Sequence, residues 1–230
     1  MTLIAVAGFW PSYWGPLLAG TLDLHPLLHV HGLVFTAWMA LFVTQAALVY
    51  RGRADLHVRL GKTLGAGWAL VLVTAGLAVS FGTAAPGVGT DFGSLAAFLR
   101  QLPIPLGDLV AFVVLFGAAI VLTDRPRAHK RLMVLATVAL LAAPTARLLL
   151  LVVEPGPVFW GLLTMVPLLP ALVAIGHDRV RHGRVHGAYW AGFAVLAVNA
   201  SRFAWLGSDT WTDLSARMAE VVSAALLPML

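Results

Sequence analysis

The sequence predicts an all-α integral membrane protein with seven transmembrane helices, and three observations support this fold class. The 230 residues are 60% hydrophobic and 11% charged, with a mean hydropathy of +0.90, whereas soluble domains carry about 25% charge. Seven apolar stretches approach the roughly 20 residues that a span requires. Short basic turns holding His-x-Arg recur three times. Together these features predict an N-terminal helix followed by three helical hairpins.

The predicted spans are 2–20, 27–50, 61–82, 105–123, 131–153, 158–176 and 187–206. The first contains Pro11 and Pro16, which predict a kinked helix. Between the third and fourth spans, 83–104 is predicted to be an outer loop with a small interfacial helix near 95–102. Residues 1–208 would form the transmembrane domain. Residues 209–230 would form a C-terminal amphipathic helix on the outer face, or a short eighth span.

The basic residues indicate how the chain is oriented. Most lie in three turns, at 51–62, 125–131 and 179–184. The positive-inside rule then makes the turns and the N-terminus cytoplasmic, so the predicted location is the bacterial inner (plasma) membrane, as a multi-pass protein. Since these charges sit where orientation signals do, the net charge of +5 does not indicate nucleic-acid binding. The lipid bilayer is the expected partner.

The repeated turn reads His57-Val-Arg59, His129-Lys-Arg131 and His182-Gly-Arg184, and each copy is predicted to open the next apolar run. These residues could form a cytoplasmic cluster for a haem or an anionic head group. The favoured interpretation is that they are interfacial anchors, with arginine stems snorkelling and histidines capping helices.

A weak metal site is predicted on the outer side, where the second span begins. His25 and His29 are four residues apart and can share a helix face, with Asp23 as a third ligand. Zn or Cu would suit such ligands. The alternative is a set of interfacial imidazoles. The absence of cysteine excludes thiolate ligands.

One polar stripe on the second span is predicted to face the helix bundle. His31, Trp38 and Gln45 follow one another at steps of seven, which places them on one helix face. A glutamine inside a span must find a hydrogen-bond partner. An interhelical hydrogen bond is the favoured explanation for Gln45.

Two arginines near the outer ends of spans complete a predicted ligand pocket. Arg147 lies in the fifth span and Arg202 in the seventh, with Asn199 on the same face as Arg202. Intramembrane charge is costly and often functional; snorkelling is the alternative. Asp108 could neutralise one arginine or cap the fourth helix, and capping is favoured. If the arginines converge with His31, the pocket suits a propionate, phosphate, carboxylate or quinone carbonyl.

The string LHVHGLVFTAW at 28–38, with Gln45, the LHVRLG turn at 56–61, HKRLMVLAT at 129–137 and Arg147, resembles a group of small bacterial multi-pass membrane proteins without an established activity. The likeness covers most of 7–206 and implies the same topology. A fainter resemblance runs to helical membrane proteins that assist terminal-oxidase assembly.

Three functional hypotheses follow. The first is a haem- or quinone-associated accessory or assembly protein of a redox complex, with haem b as its cofactor and a larger membrane complex as partner. The second is a small carrier or receptor that binds an anionic solute or lipid at the outer His/Arg pocket. The third, a metal-dependent membrane hydrolase, is less favoured, and the chain is not expected to be an enzyme on its own. Retinal binding is excluded because Lys62 and Lys130 lie at span borders.

Overall fold

The computed structural model describes residues 1–84, 88, 94–206 and 208–226, and within these ranges the chain is helical and has no strand. It divides into two compact units, which are described separately. The hairpin unit is Asp23–Gly93, and the main unit combines Met1–Leu22 with Ser94–Leu230. The predicted all-α fold class is therefore confirmed.

Four helices in the described residues are long and apolar enough to cross a membrane, which suggests a multi-pass membrane protein. They are Pro26–Tyr50, Ala54–Gly82, Leu95–Val121 and Pro157–His182. A fifth span results if Pro126–Ala139 and Ala142–Leu149, which are bent by 44°, are taken together. The seven-span topology and its orientation remain predictions.

The hairpin unit is a pair of long helices joined by a tight turn. Helices α3 (Pro26–Tyr50) and α4 (Ala54–Leu60) are separated by Gly52, whose φ of 72° suits a residue without a side chain. A π-helical turn, Gly61–Gly65, then leads into α5 (Ala66–Gly82). The indole nitrogen of Trp68 in α5 donates to the Val34 carbonyl in α3 at 3.1 Å, which fastens the two helices together.

The main unit begins with a helix that a π-helical turn interrupts at the first of the two prolines that predict a kink. Helix α1 (Thr2–Phe9) passes through a π-helical turn, Trp10–Trp14, into the short α2 (Gly15–Leu18). Helix α1 packs against a later helix, α9, which is Ala142–Leu149. A β-carbon at Gly8 would lie 2.7 Å from the Pro144 Cα. The small residue therefore permits the close approach of these helices.

The centre of the main unit is a three-helix packing of α7 (Pro103–Val121), α8 (Pro126–Ala139) and α12 (Gly187–Leu206). Phe112 and Leu135 are completely buried there. Helix α6 (Leu95–Gln101) precedes α7 after a single residue. The predicted interfacial helix at 95–102 is therefore not a separate outer element, and α6 with α7 forms one long helix. Residues 85–87 and 89–93 of that predicted loop lie outside the described residues.

The last part of the main unit contains α10 (Pro157–Met165), α11 (Leu169–His182) and α13 (Asp209–Leu226). The Trp211 indole nitrogen in α13 donates to the Arg100 carbonyl in α6 at 3.0 Å. Helix α13 is not among the described helices apolar enough to span. Its assignment to the outer face remains a prediction, and 227–230 lie outside the described residues.

One prediction about the repeated turn is wrong for its third copy. His57 and His129 lie in the first turn of α4 and α8, as expected, but His182 is the last residue of α11. Gly183, with a φ of 71°, caps this helix in the left-handed conformation. The next helix begins only at Gly187. The third motif therefore lies at the end of a helix, whereas the other two copies lie at the start of one.

Candidate functional site

A buried ion-pair cluster brings together three of the predicted pocket residues: Asp108 from α7 with Asn199 and Arg202 from α12. Arg202 Nη2 donates to Asp108 Oδ1 at 2.5 Å and to the Ile104 carbonyl at 3.2 Å. Asn199 Nδ2 donates to the same carboxylate oxygen at 3.2 Å. Asp108 is 8% exposed and Arg202 is 6% exposed. Arg202 is therefore neutralised inside the protein.

This geometry corrects the preferred role of Asp108 and decides between the two alternatives for Arg202. Asp108 lies well inside α7, not at its start, and it binds Arg202 instead of capping the helix. Snorkelling does not describe Arg202, because its charge is paired within the fold. A β-carbon at Gly107 would lie 2.7 Å from Asn199 Oδ1 and 3.0 Å from Arg202 Cδ. Glycine at 107 therefore lets α12 bring its polar residues to Asp108.

Arg147 has different partners within the same unit. Its guanidinium carbon lies 4.6 Å from the centre of the Phe9 ring, and Nη1 is 3.5 Å from the Ala143 carbonyl. The side chain is exposed. Its contacts join α9 to α1, whereas Arg202 joins α12 to α7. The two arginines therefore stabilise different helix pairs and do not share a partner in the described contacts.

The predicted polar stripe lies in the hairpin unit, and its members have separate environments. His31 packs against Phe35 with ring centres 4.2 Å apart and ring planes tilted by 33°, and Trp38 is 2% exposed. With its amide oriented to satisfy both atoms, Gln45 donates to His57 Nδ1 at 2.7 Å and accepts from the Gly61 N–H at 3.0 Å. Gln45 therefore belongs with the basic turn. Because His31 and the arginines lie in different units, their convergence remains a prediction.

The predicted metal site at Asp23, His25 and His29 gains no support. His25 caps α3, because its Nδ1 accepts the Leu27 N–H at 3.2 Å. A neutral imidazole that accepts at Nδ1 carries its proton on Nε2, so it has no second lone pair for a metal. Within the described residues, no group of three or more His, Cys, Asp or Glu is arranged to hold a metal ion.

The first two turns hold their histidines against the preceding helix. His57 accepts from Gln45 of α3, and His129 Nδ1 donates to the Ala119 carbonyl of α7 at 2.8 Å. Arg59 is exposed. These contacts tie each turn to the helix that precedes it. Neither histidine caps the helix that follows, because α4 and α8 have no side-chain cap, so the predicted capping role is wrong for these two copies.

The third turn is built around Asp178, a residue that the sequence reasoning did not select. This carboxylate is 4% exposed and pairs with Arg131 of α8, which is 3% exposed. Its Oδ1 also lies 3.2 Å from His182 Nδ1, and its Oδ2 accepts the His186 backbone N–H at 3.0 Å. Asp178 therefore connects α8, the end of α11 and the residue before α12.

His186 completes this connection at the start of α12. Its Nδ1 accepts the Ala188 N–H at 3.1 Å. Burial lowers the pKa of His186, and the nearby Arg131 lowers it further. Both influences favour the neutral ring that the hydrogen bond requires.

The same residues line a basic cleft of about 290 Å³. Its lining comprises Arg127, Arg131, Asp178, His182, Arg184, Val185, His186 and Gly187. Arg131 forms a buried side of the cleft, whereas Arg127 and Arg184 are exposed. The cleft therefore has three guanidinium groups and one carboxylate, and that carboxylate is already paired with Arg131.

Of the predicted turn residues, the cleft contains Arg131, His182 and Arg184. Sequence reasoning missed Arg127, Asp178 and His186. The available signal was the repeated spacing Asp-Arg-x-Arg, at 124–127 and at 178–181. That spacing marks an acid within each basic turn but does not show which of the two becomes buried.

No family model matches the chain, and neither a curated protein nor a solved structure matches it. The function is therefore inferred from the chemistry of the described residues.

Proposed function

We propose that the chain is a bacterial inner-membrane protein that binds an anionic group, a phosphate or a carboxylate, in the basic cleft. It would serve as a carrier, receptor or accessory protein and not as an enzyme on its own. The observation that carries this proposal is the charge of the cleft, where three arginines face one carboxylate that Arg131 already neutralises. Guanidinium groups suit the planar, multidentate recognition of such anions.

The cleft is a better candidate than the predicted outer pocket. In the buried ion-pair cluster, Arg202 has a carboxylate and two carbonyl groups as partners. A ligand would have to displace these groups. In the cleft, Arg127 and Arg184 are exposed, so an anion can approach them without breaking a buried ion pair.

Thermal unfolding of the detergent-solubilised protein tests the proposal. Phosphate or succinate at about ten times its Kd should add about 1.4 kcal/mol, or roughly 3–6 °C for a chain of this length. Sodium chloride at equal ionic strength is the solution control. The shift should disappear in Arg184→Gln and persist in Arg181→Gln, because Arg181 is exposed nearby but does not line the cleft.

Two results would contradict anion binding in the cleft. One is the lack of any stabilisation by phosphate and succinate beyond that of sodium chloride. The other is an equal loss of stabilisation in Arg184→Gln and Arg181→Gln, which would indicate diffuse attraction to a basic surface.

A haem-associated accessory role is the second candidate, and the environment of His182 favours it. Its Nδ1 can donate to Asp178, 3.2 Å away, which leaves the lone pair on Nε2. This is the tautomer that coordinates iron, whereas His25 and His186 accept at Nδ1 and are held as the other tautomer. Protein purified from haem-replete cells should then show a Soret band that is lost in His182→Ala. A colourless preparation would exclude this role.

A further inference from the structure

We propose that the anion bound in the basic cleft is the phosphate head group of an anionic phospholipid whose acyl chain occupies a neighbouring apolar cavity. This inference rests on the proposed anion-binding function and specifies the class of ligand. It requires an anion site, an adjoining apolar site and a position at the level of lipid head groups.

The apolar cavity has a volume of about 560 Å³. Leu122, Pro126 and Ala128 line it, together with Arg125, Arg127 and His186. Arg127 and His186 also line the basic cleft, so the two cavities adjoin along these side chains. A small soluble anion would use the cleft alone. A ligand with a charged head and an apolar tail would use both cavities.

Both cavities lie at the ends of apolar helices. Helix α7 ends at Val121 and α8 begins at Pro126, while α11 ends at His182 and α12 begins at Gly187. Exposed apolar side chains lie close by in the chain: Val121 is 78% exposed and Val180 is 88% exposed. Apolar surface beside a basic cleft at helix ends is the arrangement that an interfacial lipid contacts.

The polar groups of the cleft favour a phosphate. Arg131 is fixed by Asp178, by the Arg127 carbonyl at 2.6 Å and by the Tyr189 ring at 5.5 Å. Its Nε is buried and has no hydrogen-bond partner among the described residues. Both Asp178 oxygens already accept hydrogen bonds, which reduces repulsion toward an incoming phosphate. A phosphate that reached the cleft would find a fixed guanidinium as well as the exposed Arg127 and Arg184.

The charge balance favours an anionic lipid over a zwitterionic one. A phosphatidylglycerol head group brings a single negative charge, whereas phosphatidylcholine adds a quaternary ammonium beside the arginines. The arginines would repel that ammonium because both groups are positively charged, and this repulsion disfavours the zwitterionic lipid. Each basic residue near a membrane surface increases the affinity for an anionic lipid roughly fivefold. Arg127 and Arg184 together should therefore give about a 25-fold contribution.

Native mass spectrometry of protein extracted from bilayers with equal amounts of phosphatidylglycerol and phosphatidylcholine tests this inference. The wild type should retain one phosphatidylglycerol selectively. An Arg127→Gln and Arg184→Gln double variant should lose about 25-fold of that selectivity. An Arg179→Gln and Arg181→Gln double variant is the matched control, because it removes the same charge from exposed positions outside the cleft. Circular dichroism checks that each variant is folded, and Arg184→Gln alone replaces the cleft double variant if that variant does not fold.

The outcomes separate this inference from the function on which it rests. If inorganic phosphate stabilises the protein but phosphatidylglycerol is not retained selectively, the cleft binds soluble anions and the lipid inference is overturned. If neither binds, both proposals fail. Equal loss of phosphatidylglycerol in the cleft and control variants would also overturn the inference, since it would show attraction to the whole basic surface.

Discussion

Removing the carboxylate of Asp108 should destabilise the protein strongly, because Arg202 would keep a buried charge without its partner. The two side chains are nearly inaccessible and Arg202 Nη2 lies 2.5 Å from Asp108 Oδ1. At a charge separation of roughly 4 Å and an effective dielectric constant near 20, their attraction is about 4 kcal/mol. Asp108→Asn keeps the shape and an acceptor oxygen but removes the charge. We expect a loss of about 3–5 kcal/mol in the free energy of unfolding.

A double-mutant cycle separates the ion pair from the other effects of each substitution. Asp108→Leu and Arg202→Met remove the two charged groups singly, and the double variant removes both. The double variant should be more stable than the sum of the single losses predicts, by about 2–4 kcal/mol, because neither charge is then left unpaired. Unfolding by SDS in mixed micelles, followed by circular dichroism, measures these energies. Arg217→Gln is the control, since Arg217 is exposed on α13.

The value of the coupling energy decides whether this reasoning holds. Polar pairs in membrane proteins contribute about 0.6 kcal/mol on average. A coupling at or below that value would mean that Arg202 reaches water and that Asp108 is not its counter-ion. The buried ion-pair cluster would then be refuted, and Arg202 would again be available to an anion in the predicted outer pocket.

Three further effects are expected. Gly107→Ala should lower the melting temperature by several degrees, because its methyl group would meet Asn199 and Arg202, whereas Gly117→Ala on the same helix has open space and should not. The lowered pKa of His186 means that its contribution to stability is complete above about pH 6.5 and declines as the pH falls below that value. Melting curves between pH 8 and 5 should show this decline, and His186→Asn should flatten it. Gln45→Met should cost about 0.6–1.7 kcal/mol in mixed-micelle unfolding, since it removes the bonds to His57 and Gly61. Thr44→Val, at the exposed neighbouring position, should change little.

Hydropathy located the helices well where polar residues mark both ends. The predicted 27–50 corresponds to Pro26–Tyr50, and 187–206 corresponds to Gly187–Leu206. It failed where a polar segment continues a helix. Asp178, Arg179 and Arg181 look like a turn in composition, yet α11 extends through them to His182. Hydropathy indicates which residues are surrounded by lipid. It does not indicate whether the helix ends where the chain leaves the lipid or continues into the polar region.

The candidate-site residues could be predicted where a polar side chain lies in an apolar segment, because burying it without a partner costs free energy. Three polar residues lie in apolar segments of the sequence, and each was expected to need a hydrogen-bond partner. In the structure Asn199 and Arg202 both donate to the carboxylate of Asp108. The partner of Gln45 was less accessible to sequence reasoning. A period of seven identifies one helix face, but it does not give the height at which a second helix approaches that face. His57 meets Gln45 because the turn at 51–53 is short.

The basic cleft exists because three turns of similar composition fold differently. Each contains an aspartate: Asp55 pairs locally with Arg53, and Asp124 pairs with Arg125, and all four of these side chains are exposed. Asp178 lies inside a helix that continues past it, so its carboxylate is carried to α8 and becomes buried against Arg131. Burying that pair removes the acid that would otherwise neutralise the exposed arginines Arg127 and Arg184. The continued helix is therefore the physical reason that the third turn, together with Arg127 and Arg131 of the second, forms a cleft with an excess of positive charge.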